Sequence, residues 1–164
     1  MNVIIAIVLI GCGATALLDA WLALLRRLGT PTLGMALLGR WIGHLLRGRV
    51  RHTAIGKARP VRHETAYGWI AHYAIGIGFA AALVALAGID WLRDPKLAPA
   101  LAFGLATVVA PLFVMQPAMG AGIAASRTPA PLRNCLRSLI NHILFGFALY
   151  LCARLVAATA AIAA

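Results

Sequence analysis

Four stretches of this chain, 3–25, 67–88, 97–119 and 136–158, are each long and apolar enough to cross a hydrocarbon layer. A crossing takes about 20 apolar residues at about 1.5 Å of helix rise each. Backbone polar groups in hydrocarbon must be satisfied within the segment, so runs of this length read as helices. The expectation is an all-α, integral membrane four-helix bundle, a single membrane domain over 1–164. Composition agrees: 62% of residues are hydrophobic and 12% charged, where a soluble domain carries roughly 45–50% and about 25%.

The net charge of +11 is placed between the apolar runs. Loop 26–66 holds Arg26, Arg27, Arg40, Arg47, Arg49, Arg51, Lys57, Arg59 and Arg62 against Glu64 alone, and the loop before the fourth run holds Arg127, Arg133 and Arg137. Between the second and third runs the charges of Asp90, Arg93, Asp94 and Lys96 cancel. Positive loops mark the cytoplasmic side, so both basic loops are expected inside and both termini outside, periplasmic in a bacterial inner membrane. This distribution reads as topology and not as a nucleic-acid surface. Leu9-Ile10-Gly11-Cys12 resembles a lipoprotein cleavage box, but no Lys or Arg precedes the apolar run, which continues to Leu25. An intact first span is expected.

Within the basic loop, 34–48 spaces Met35, Leu38, Ile42, Leu45 and Leu46 at helical intervals. At about 15 residues it is too short to span and reads as an amphipathic interfacial helix. Arg40, Trp41 and His44 are then the basic and aromatic groups expected at the headgroups of anionic inner-leaflet lipids. The three cysteines, Cys12, Cys135 and Cys152, have no CxxC spacing and read as small apolar packing residues.

Polar residues inside the spans carry the functional argument. Asp19, His72, Gln116 and His142 fall at nearly one expected depth, in the inner-leaflet half. Small or polar residues repeat at four-residue intervals beside them, as Gly11-Thr15-Asp19, Gly68-His72-Gly76 and Ser138-His142-Gly146. Such stripes let helices approach closely in lipid. In span three, Pro111 and Pro117 lack amide donors and Gly120 and Gly122 favour an interrupted end, so Gln116 is expected beside broken backbone. A lone intramembrane His or Gln serves equally well as an interhelical hydrogen-bond partner. A carboxylate is harder to accommodate, costing about 2.5–3.5 kcal/mol at mid-depth, and Asp19 is expected to be paired, protonated or functional. Glu64, two helical turns before His72, reads either as a helix N-terminal acid or as a proton intake toward His72 and Asp19.

The pieces GRWIGHLLRG, HETAYGWIAHYAIGIGFA, VVAPLFVMQPAMGAGIAASRTPAP and LINHILFGFALYL resemble, over nearly the whole chain, a family of small bacterial inner-membrane proteins classed only as a domain of unknown function. The resemblance implies four spans and assigns no activity to any residue. From the residues themselves, one reading is proton- or ion-coupled translocation of a small solute at Asp19, His72, Tyr73, Gln116, His142 and Glu64, with a homodimer enclosing the pathway. A second is a redox subunit in which His72 and His142 ligate a metal or haem iron, or hold a quinone with Tyr73 and Gln116. A third is a scaffold for a membrane-protein partner. Signatures of soluble enzymes, GxxxxGK[ST], HExxH and GxSxG, are absent from the sequence, so catalysis is not the favoured expectation.

Overall fold

A computed structural model describes residues 1–162, and side-chain packing as far as residue 159. No strand occurs among the described residues. The helices are α1 (Val3–Arg27), α2 (Met35–Leu45), α3 (Glu64–Ala87), α4 (Leu97–Thr107), α5 (Gln116–Met119) and α6 (Pro131–Ile162), with short 3-10 turns between several of them. Four helical stretches, Val3–Arg27, Glu64–Ala87, Leu97–Met119 and Pro131–Thr159, are long and apolar enough to cross a membrane.

The second and fourth stretches begin before the apolar runs from which they were inferred. Glu64 extends α3 backward because its Oε2 accepts the amide of Val61 at 3.1 Å, satisfying a donor at the helix start. Pro131 opens α6, where its fixed φ and missing amide suit the first turn. The polar turns that follow, with Arg133, Asn134 and Arg137, are helical without being apolar, so hydropathy alone misses them.

The third stretch is a broken helix. Between α4 and α5, Ala110–Met115 winds as a π-helix, whose end is marked by the Gln116 amide reaching back to the Pro111 carbonyl. Pro111 and Pro117 cannot donate to the carbonyls four residues before them, which favours this wider turn. Gly120, at φ +98°, stops α5. The chain then takes left-handed conformations at Gly122, Ala124 and Ala125, of which the two alanines bear a steric cost.

The chain divides into two compact units. Unit one comprises Met1–Thr30, Tyr73–Ala106 and the chain from Asn141 onward. Its core gathers Ile10, Ala14, Ala80, Leu83, Phe145, Leu149 and Ala153, with Phe79 set edge-on to Phe103 and Phe145 at 6.1 Å. Backbones touch where small residues meet. A Cβ on Gly11 would lie 2.6 Å from Ile77 Cα, and one on Gly104 would lie 2.7 Å from Gly146 Cα. Packing of this kind associates helices in lipid, where apolar burial between them supplies little.

Unit two comprises Pro31–His72 and Thr107–Ile140. Here α2 lies so close to the start of α3 that a Cβ on Gly39 would sit 2.5 Å from the Gly68 amide nitrogen. Leu38, Gly39, Gly43 and His44 form the buried face of α2, while Leu45 and Leu46 are exposed. The glycines are what permit the contact, since any side chain at 39 would meet α3 backbone.

Candidate functional site

In unit one, Asp19 of α1 and Tyr73 of α3 come together. The phenol Oη donates to Asp19 Oδ2 at 3.1 Å. The close α1–α3 packing sets this up: Thr15, one turn before Asp19, donates to Gly11 O at 2.8 Å and its side chain lies against Gly76. A hydrogen bond to an ionised acceptor contributes about 1.5–3 kcal/mol, comparable with the roughly 2.5–3.5 kcal/mol cost of a carboxylate in a span. Both residues are half-buried. His142 belongs to the same unit and is also half-buried. Beside it in sequence, Asn141 Oδ1 accepts from Trp21 Nε1 at 3.0 Å, joining α6 to the end of α1.

Glu64, His72 and Gln116 belong to unit two. Glu64 is held by Arg40 side-on, Nη2 to Oε1 at 2.8 Å and Nε to Oε2 at 2.9 Å. The same guanidinium donates through Nη1 to the carbonyls of Gly56 and Ala58, each at 3.2 Å. Side-chain exposures of 13% for Arg40 and 18% for Glu64 put this pair well inside the unit. Glu64 raises the Arg40 pKa above its ordinary value, chiefly through their hydrogen bonds, against the opposing effect of burial. Both carboxylate oxygens are therefore engaged, and Glu64 braces the basic loop. His72 stands eight residues on, about 12 Å along the helix axis, with its ring edge-on to Trp69 at 6.1 Å.

Gln116 sits where the π-helix gives way to α5. Its Nε2 donates to Ser138 Oγ at 3.3 Å, while its Oε1 is buried with no hydrogen-bond partner. Broken backbone beside a polar side chain is thus realised in the third span.

The groups expected at lipid headgroups each have a partner within unit two. Arg40 turns in to Glu64, and His44, 9% exposed, bonds through Nε2 to Arg59 O at 2.9 Å. Trp41 is half-buried and donates from Nε1 to Val50 O at 2.9 Å. The buried glycine face of α2 packs against the start of α3.

His52 escaped the sequence reading altogether. It lies in an irregular basic stretch with no helical periodicity, so nothing in its neighbours signals burial. In the structure it is 7% exposed, both ring nitrogens lack hydrogen-bond partners, and its ring meets that of His44 at 4.9 Å. No group of three or more His, Cys, Asp or Glu is placed to hold a metal ion among the described residues. His72 and His142, the metal candidates, fall in different units.

Comparison with known proteins gives no match among curated proteins and none among solved structures. Residues 8–156, covering all four apolar helices in whole or large part, match a family defined as "Protein of unknown function (DUF2938)", and the chain belongs to that family.

Proposed function

We propose that this protein carries a proton or small cation, coupled to movement of a small solute, through a bacterial inner membrane, with Asp19 as the carrier group. The observation that carries the reading is the Asp19–Tyr73 hydrogen bond within two apolar helices. The Asp19 carboxyl accepts a hydrogen bond from the Tyr73 hydroxyl; on binding a proton or cation, it changes its demand for that donor, and the α1–α3 contact changes with it. Such coupling between charge state and helix contact is what an ion-linked carrier requires. The broken third span, with Gln116 Oε1 buried and unpartnered, supports the same reading, because interrupted spans recur where membrane proteins bind ions or solutes. In this reading the basic loop 26–66 faces the cytoplasm, beside anionic lipid.

Purified protein in liposomes carrying an internal pH-sensitive dye tests the proposal. An imposed pH gradient should drive flux that Asp19→Asn abolishes and Tyr73→Phe slows with a shifted pH profile. Undiminished flux in a well-folded Asp19→Asn protein would sink it.

A further inference from the structure

Unit two contains one acidic residue, Glu64, among many arginines, and Arg40 has already claimed it. His52 lies in that basic surrounding. Its backbone amide donates to Ala118 O, two residues after Gln116, at 2.8 Å. The next residue, Thr53, touches Gly120 so closely that a Cβ there would meet the Thr53 carbonyl carbon at 2.5 Å. Residues 52–53 therefore strap the basic loop to the end of the broken third span.

We propose that His52 is a proton-binding latch: neutral, it stays seated against His44 and keeps the strap on residues 118–120; protonated, it leaves its seat and the strap opens.

The argument rests on what surrounds the ring. From α2 comes the His44 imidazole, whose Nε2 is engaged by Arg59 O. Arg49 adds positive charge from the turn after α2, and the span-three side offers the Ala118 carbonyl, which the His52 backbone amide occupies. No carboxylate of unit two other than Glu64 exists to neutralise an imidazolium. A cation formed at His52 would be buried, with neither ring nitrogen hydrogen-bonded as the ring now sits, and would face like charge. Burial first, then His44 and Arg49, hold its pKa below the ordinary histidine value, against a smaller opposing effect of the Ala118 carbonyl. Moving the ring to water relieves all three penalties at once. The strap would be drawn off with it, exposing the Gln116–Met119 segment. This role is independent of the one proposed for Asp19.

Hydrogen exchange of the full chain in lipid nanodiscs, from pH 7.5 to 5 and corrected for intrinsic exchange, tests the latch. Protection of residues 51–56 and 117–122 should fall together by about tenfold, through linkage of opening to one proton. His52→Phe should hold protection constant with pH, and His52→Gln provides a second, neutral polar replacement should Phe fail to assemble. Asp19→Asn should keep the wild-type response. The proposal is overturned by wild-type protection that stays flat to pH 5, or by a pH response that survives in both neutral variants. It is equally overturned by a stoichiometric transition metal retained in wild type and lost in His52→Gln, since the nitrogens would then be metal ligands.

Discussion

Arg40 offers a quantitative handle on unit two. Arg40→Met removes two charge-assisted hydrogen bonds to Glu64, at 2.8 and 2.9 Å, and two donations to loop carbonyls at 3.2 Å. Breaking a fully buried ion pair costs about 3–5 kcal/mol. With exposures of 13% and 18%, water recovers part of this, so the expected loss is about 3 kcal/mol. Much of that loss is the stranded carboxylate of Glu64. Adding Glu64→Leu to Arg40→Met removes the stranded charge, and the double variant should be little worse than either single one. A double-mutant cycle by denaturant unfolding in mixed micelles should then show a coupling of about 2 kcal/mol. Because the pair is shielded, 0.5 M salt should change this value little, whereas an exposed pair would be screened. Additive single variants, with coupling below about 0.5 kcal/mol, would refute the argument that the pair braces the loop.

Glycine contacts give a clean contrast: Gly39→Ala should destabilise by about 1–3 kcal/mol through overpacking, whereas Gly78→Ala, with open space at its Cβ position, should be neutral or slightly favourable in the same unfolding assay. Gln116→Leu deletes a buried acceptor that has no partner and with it the donation to Ser138 Oγ; the two effects oppose each other and should leave stability within about 1 kcal/mol of wild type, while liposome flux falls; reduced stability with intact flux would contradict its proposed role. Ala124→Gly relieves a left-handed alanine at φ +49° and should raise the unfolding free energy by up to about 1 kcal/mol. For His52, the folded pKa lies below the unfolded value of about 6.5, so the unfolded chain binds more protons in between. Its contribution is complete above pH 6.5 and is lost as pH falls through the folded pKa; thermal unfolding at pH 7.5 and 5.5 should show a drop that His52→Phe removes.

The four apolar helices were legible because hydropathy is a property of consecutive residues, and a membrane crossing is a local length requirement. The break in the third was legible too, since Pro111, Pro117 and Gly120 act on their own backbone. What lay beyond the sequence were choices among partners. Arg40 read from the sequence as a headgroup cation, and only the approach of Gly39 to Gly68 hands it Glu64, twenty-four positions away. Asp19 finds Tyr73 for a similar reason: the rotation of α1 against α3 is set by Gly11, Thr15 and Gly76, and the hydroxyl follows. His52 carries no local sign of burial, because its seat is built from His44, across the irregular turn after α2, and from Ala118, distant in sequence. Periodicity and hydropathy thus determined which segments are helical and apolar, while helix rotation and close approach, which depend on the whole packed arrangement, decided which polar groups meet.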